Sequence, residues 1–199
     1  MELENLVQAV TDSLFVELEA SGRHVHVTEA QAMTLFGHPL TPARPLSQPG
    51  QFLARERVTL VGEKGEFRDV AVLGPERREG QVEISLTDGR VLGIAPPVRL
   101  SGDVEGTPGI VLVGSNGRVE LTQGVIAAKR HIHLTPRAAA HFGVKNGENV
   151  KLKALTRRPV IFEDVSVRVS EQFAPFAHLD YDEANACGFC KGDLGRILK

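Results

Sequence analysis

Two histidine pairs carry the first chemical signal in this chain. "RHVHV" occupies residues 23–27 and "RHIHL" occupies residues 130–134. Side chains alternate between the two faces of a strand, so His24 and His26 point the same way, and so do His131 and His133. Two imidazoles on one face form a bidentate clamp for zinc or a similar divalent metal. A third protein ligand would fix the ion and leave a position open, which is the catalytic rather than the structural zinc pattern.

An internal repeat supplies that third ligand twice. Residues 23–36 match residues 130–142 with one residue gained or lost. "EFRDVAV" (66–72) then matches "IFEDVSV" (161–167), which pairs Asp69 with Asp164. Fourteen residues after Asp69 stands Glu83, and fourteen after Asp164 stands His178. The duplication therefore predicts two related metal sites, one of His24, His26 and Glu83, the other of His131, His133 and His178. His38 and His141 fall outside the pattern and read as ordinary packed or solvated histidines. Cys187 and Cys190 have metal or redox spacing, but no second Cys-x-x-Cys accompanies them, so buried or idle thiols are expected. Arg77 and Arg78 precede the Glu83 segment. Beside a metal, such a forked donor suits phosphate or carboxylate; elsewhere it is a solvated loop charge.

The elements that must position these residues read mainly as strands. "RVTLVG", "DVAVLG", "QVEISL", "RVLGI", "GIVLVG", "NVKLKAL" and "DVSVRVS" are short, rich in Val, Ile and Leu, and bounded by turns. Asp88-Gly89, Asn116-Gly117 and Asn146-Gly147 favour tight hairpin turns. Only the segment after each histidine pair looks helical, with Thr28 and Thr135 as N-caps and Pro136 at a first helical position. This pattern favours barrels or sandwiches. It disfavours a doubly wound sheet, because no Gly-rich strand-to-helix loop is present. Residues 1–15 put Leu3, Leu6, Val7, Val10 and Leu14 on one helical face, as a helix docked on its own domain or on a partner.

The 199 residues allow one or two small domains. A net charge of -2 with interspersed signs offers no basic surface for nucleic acid. Two cysteines are too few for a disulfide framework, which points to a reducing compartment. No apolar run is long enough to span a membrane, and the start lacks a secretory signal. A cytosolic-type protein is expected.

Several segments together resemble the PduL-type phosphate acyltransferases (phosphotransacylases) associated with bacterial microcompartments. "RHVHV", "LSQPGQF", "VLGPERREGQVEIS", "GIAPPVRLSGD", "AKRHIHL" and "DEANA" carry the resemblance in order, from about Phe15 to the C-terminus. It implies a mainly β fold of two linked β-barrels with short capping helices and two divalent ions, usually zinc, close together. It also implies a swap, in which the strand before His24 joins the C-terminal barrel. The expected division is residues 1–14 as an N-terminal helix, 15–22 with 129–199 as one barrel, and 23–128 as the other.

By matching position, the two histidine groups would be the metal ligands and Arg77 the phosphate-contacting arginine. Ser21 and Asn185 would line the site, and Gln48 and Pro49 would lie beside the CoA nucleotide. The implied partners are CoA, acyl-CoA and phosphate, with microcompartment shell or core proteins through the N-terminal helix; a homo-oligomer is also compatible. A place in the microcompartment lumen or the cytoplasm follows. Gly22, where the family more often has Asn, and Ala177, where it has Met, depart from the pattern without removing a ligand.

The implied reaction joins acyl-CoA and phosphate to give acyl phosphate and CoA. No serine nucleophile elbow or acyl-accepting cysteine motif is evident, so direct transfer is expected. A metal-dependent thioester or amide hydrolase and a non-enzymatic metal-binding module are the alternatives. A duplicated cupin is disfavoured, because Glu29 lies three residues after His26 and the second copy has Arg137, not an acid, four after His133.

Overall fold

A computed structural model describes Asn5, Val7, Thr11 and residues 13–199. Leu3, Leu6 and Val10 of the expected N-terminal helical face lie outside the described residues. Val7 and Leu14 are helical and exposed. No helix among the described residues is long and apolar enough to cross a membrane.

The chain forms two compact units, each with its own core. It opens with β1 (Val16–Ser21) and then enters the unit spanning Gly22–Lys129. That unit contains β2 (His24–His26), α1 (Glu29–Phe36), β3 (Pro42–Pro45), β4 (Phe52–Val61) and β5 (Glu66–Gly74). It continues with β6 (Gln81–Glu83), α2 (Leu86–Leu92), β7 (Val98–Arg99), β8 (Ile110–Val113), β9 (Arg118–Leu121) and β10 (Val125–Ala128). The sheet is nine-stranded, ordered β7-β10-β6-β2-β5-β4-β8-β9 with β3 beside β4. It curls as a half-barrel around Leu35, Leu60, Leu92 and Leu112.

The other unit joins Arg130–Lys199 to β1. Its elements are β11 (His131–Leu134), α3 (Pro136–Phe142), β12 (Asn149–Leu155), β13 (Val160–Val169), β14 (Phe176–Asp180), α4 (Tyr181–Cys187) and β15 (Leu194–Leu198). Six strands close a barrel in the order β1-β14-β11-β13-β12-β15 around Leu18, Ile132, Leu134, Leu152 and Leu179.

The duplication is visible in the backbone. In both units the histidine strand pairs antiparallel with the third-ligand strand: His24 faces Glu83, and His131 faces His178. It also pairs parallel with the strand after the repeated aspartate, His24 opposite Ala71 and His131 opposite Ser166. Asp69 and Asp164 both sit at positive φ, 57° and 55°, a region that Asp tolerates better than most residues. Each lies at a register shift, between Val58 and Leu60 of β4 or between Val150 and Leu152 of β12. An extra residue on one strand is a β-bulge, which bends and twists the strand at a fixed place. The same bulge therefore curves the wall of each unit.

Thr28 and Thr135 cap α1 and α3 as expected, and Pro136 opens α3. Three expectations need correction. "RVLGI" and the end of "QVEISL" form α2 rather than strand, and Asp88-Gly89 lies inside that helix. Ser85 and Asp88 make a capping box, whose paired hydrogen bonds satisfy the first-turn donors and start a helix despite the β-rich composition. A Cβ on Gly89 would come within 2.6 Å of the Ile94 carbonyl, so glycine here serves close packing rather than a turn. The tight turn at Asn116-Gly117 does join β8 to β9, with Gly114 N–H bonded to the Gly117 carbonyl. Asn146-Gly147 instead lies between α3 and β12, with Gly147 at φ 78°. A helix on one side of it removes the second strand that a hairpin needs.

Candidate metal and phosphate site

In each unit, three ligand-capable side chains converge. The candidate ligand atoms of His24, His26 and Glu83 lie within 4.8 Å of one another, and so do those of His131, His133 and His178. Strand alternation puts each histidine pair on one face, and the antiparallel neighbour brings the third residue opposite the first histidine.

Hydrogen bonds orient the first group. His24 Nδ1 donates to the Gly22 carbonyl at 2.8 Å and His26 Nδ1 donates to the Leu73 carbonyl at 3.2 Å. Those bonds select the tautomer and turn both Nε2 atoms toward Glu83, whose Oε2 lies 3.5 Å from His24 Nε2. Burial alone would raise the Glu83 carboxyl. The charges of His24 and His26, with hydrogen bonds from His24 and the Ser101 hydroxyl, outweigh it and hold Glu83 well below the ordinary carboxylate range. Burial likewise pulls His24 down, but Glu83 reverses the direction and raises it. His26, buried beside His24 and Arg77, is lowered well below the ordinary histidine value.

In the second group, burial first, then His131 and Arg168, push His133 down to about 3. Its imidazole is therefore neutral near pH 7, the form that binds metals. Both ring nitrogens of His133 are buried without a hydrogen-bond partner. Leaving buried polar atoms unmet is costly, and an ion taking one nitrogen would satisfy it. His178 Nδ1 lies 3.6 Å from the Glu19 carboxylate of β1, which suits a carboxylate–histidine arrangement behind a metal. Both donor sets thus fit a divalent ion.

Arg77 lies close to the first group. Its Nη1 donates to Ser101 Oγ at 3.0 Å. Gln81 Nε2 donates to the same Ser101 oxygen at 2.9 Å and to Glu83 Oε1 at 2.6 Å. Arg77 also lines a cleft of about 300 Å³ with Pro49, Gly50, Gln51, Gly74 and Pro75. Pro49 and Arg77 therefore share one wall, while Gln48 is buried next to it in sequence. Arg78 is exposed. Ser21 ends β1 opposite Asp180, and Asn185 is an exposed residue of α4.

Reading the sequence alone missed the residues that brace these groups. Arg23 forks onto Asp88, at 2.7 and 3.1 Å, and its guanidinium lies 4.1 Å from the Phe67 ring centroid. Arg130 does the equivalent, binding Glu183 at 2.7 Å and lying 5.9 Å from the Phe162 centroid. Both acids are the third residue of a capping box two positions beyond the third ligand, Ser85–Asp88 and Asp180–Glu183. The doubled Arg-His spelling and the S-x-x-D and D-x-x-E spacings were the available signals. The residues set aside as ordinary are so: His38 Nδ1 bonds the Pro39 carbonyl, and His141 Nε2 bonds the Ser13 carbonyl. Cys187 is buried, with its thiol raised by burial; Cys190 is exposed, and both are free.

Comparison with known proteins places the chain in a family. The phosphate propanoyltransferase family model matches residues 17–190. A phosphate propanoyltransferase of Enterococcus faecalis is 54% identical over 92% of this chain and 88% of its own. One from Clostridioides difficile is 49% identical over 99% of this chain and 95% of its own. One from Thermotoga maritima is 52% identical over 90% and 87%. With both groups inside the matched span and likeness of this extent on both chains, the chain belongs to the phosphate propanoyltransferase family.

Proposed function

We propose that the chain transfers an acyl group between CoA and phosphate at a site built on two divalent ions. Acyl-CoA and phosphate give acyl phosphate and CoA, in either direction. The observation that carries this reading is the chain of hydrogen bonds from Arg77, on the wall of a cleft, through Ser101 and Gln81 to Glu83. It ties an anion-binding guanidinium to a metal-competent group, in a family named for phosphate acyl transfer.

His24, His26 and Glu83 would hold one ion and His131, His133 and His178 the other, zinc being well suited to imidazole and carboxylate donors. When bound, such ions supply Lewis acidity toward the thioester and a soft acceptor for sulfur. In the reaction a phosphate oxygen forms a bond to the carbonyl carbon, the C–S bond breaks, and CoA departs as the thiolate. Phosphate must approach while carrying negative charge, and the forked Arg77 guanidinium neutralises and aims it. Gln48 and Pro49 are assigned to the CoA side, and Ser21 and Asn185 to the substrate lining. The acyl group is propanoyl, after the relatives' name, with acetyl as the smaller substrate. Residues 1–14 are assigned to a microcompartment shell or core protein, on the ground that Val7 and Leu14 expose apolar surface.

Thiol release from propanoyl-CoA and acetyl-CoA, with and without phosphate, before and after chelation, tests the reading. Release that requires both phosphate and metal is expected. Phosphate-independent release would make the chain a thioester hydrolase, and release that survives complete metal removal would end the two-ion proposal.

A further inference from the structure

Gln81 stands out among the described residues as a buried amide whose every polar atom is committed. Its carbonyl oxygen accepts the Gly102 backbone N–H at 2.8 Å. Its two amide hydrogens go to Glu83 Oε1 and Ser101 Oγ. Rotating the amide by half a turn would set its oxygen against the Glu83 carboxylate and its NH2 against the Gly102 N–H, two repulsive contacts, so the orientation is fixed. With Oε1 engaged by Gln81, the carboxylate presents Oε2 toward His24 Nε2. Ser101 Oγ accepts from both Gln81 and Arg77 and so links the two side chains.

We infer that Gln81 and Ser101 are positioning residues that set the metal carboxylate and the phosphate-binding guanidinium in one register. Neither touches the reacting atoms. Gln81 aims the Glu83 oxygen that the ion takes, and Ser101 holds Arg77 at a fixed distance from that carboxylate. The inference rests on the two-ion, phosphate-binding reading above. It applies to one group only: Gln81 lies opposite His26, whereas the corresponding place opposite His133 is held by Phe176, which has no hydrogen bond to give.

That asymmetry makes the test sharp. The metal-stripped full-length chain is titrated with Zn²⁺ against a chromophoric chelator, and phosphate and propanoyl-CoA kinetics are then measured on the reloaded protein. Wild type should take two ions. Gln81→Met should weaken one of the two by ~10–100-fold, the usual effect of losing a partner behind a metal ligand, and leave the other unchanged. Ser101→Ala should raise the KM for phosphate several-fold, with the KM for propanoyl-CoA unchanged. Should Gln81→Met fail to fold, Gln81→Asn asks the same question, because it keeps the amide but withdraws it by one methylene. Two ions bound equally tightly by wild type and the Gln81 variant would overturn the role of Gln81 and leave the function standing. An unchanged phosphate KM in Ser101→Ala would overturn the link to Arg77. A wild type that binds no Zn²⁺ would overturn the two-ion reading and this inference together.

Discussion

At the scale of single residues, burial decides which charges matter. Glu56 is a carboxylate with little solvent contact whose Oε2 accepts the Thr41 N–H at 3.0 Å, with His38 Nδ1 3.8 Å from Oε1. Burial would raise its carboxyl, but the backbone hydrogen bonds and His38 outweigh burial and lower it. A depressed carboxylate contributes stability above the unfolded value of about 4.5, and that contribution is lost as pH falls through the folded value. Glu56→Gln should therefore cost about 1 kcal/mol at pH 7, the worth of a charge-assisted hydrogen bond made neutral. Denaturant melts at several pH values should show the gap to wild type narrowing as pH falls below the unfolded value of about 4.5, and closing once the native carboxylate is also protonated. A gap independent of pH would show that the carboxylate charge is not what Glu56 contributes. The six candidate ligands were legible from the sequence because strand alternation named the four paired histidines and the repeat added Glu83 and His178. Gln81 was not, because its repeat partner is Phe176 and the duplication is silent there.

At the scale of elements, the repeated Arg before each histidine pair connects the histidine strand to the helix that follows the third ligand. Arg23 reaches from the foot of β2 to Asp88 in α2, and Arg130 reaches from the foot of β11 to Glu183 in α4. Asp88 is buried, so removing its partner would strand a carboxylate away from water. Glu183 retains more solvent contact. Arg23→Ala should therefore lose about 2 kcal/mol and Arg130→Ala less, measured by urea denaturation of the metal-free protein. Arg23→Lys should fall between Ala and wild type, because an ammonium keeps the charge but lacks the fork. Equal stability of Arg23→Ala and wild type would remove the brace from this account. Of these elements, α1 and α3 were legible through their threonine caps, whereas α2 and α4 were not. All four of these helices complete only about two turns and show little periodicity, so α1 and α3 were marked only by the threonine repeated after each histidine pair, and α2 also carries an Asp-Gly that reads as a turn.

At the scale of the whole molecule, the strand before each histidine pair serves the unit of the other. β1, which precedes His24, pairs with β14 and β15 in the barrel that holds His131. β10, which precedes His131, pairs with β6 in the sheet that holds His24. Local periodicity specifies a strand but not its partner, so no residue pattern in the chain revealed this exchange; only the family resemblance implied it. The consequence for the two units is unequal. Gly22–Lys129 contains all nine strands of its own sheet, β10 included. Arg130–Lys199 lacks β1, the strand that closes the barrel between β14 and β15 and buries Val16 and Leu18 in its core. Losing two such side chains forfeits about 3–6 kcal/mol of burial, comparable to the whole stability of a small domain, and opens two sheet edges. A fragment of residues 22–129 should therefore fold alone, with dispersed amide resonances and a cooperative melt. A fragment of residues 130–199 should remain unfolded or aggregate until residues 15–21 are supplied, either as a peptide or joined through a flexible linker after Lys199. A cooperative melt of the 130–199 fragment without that strand would show that barrel closure does not hold the unit together.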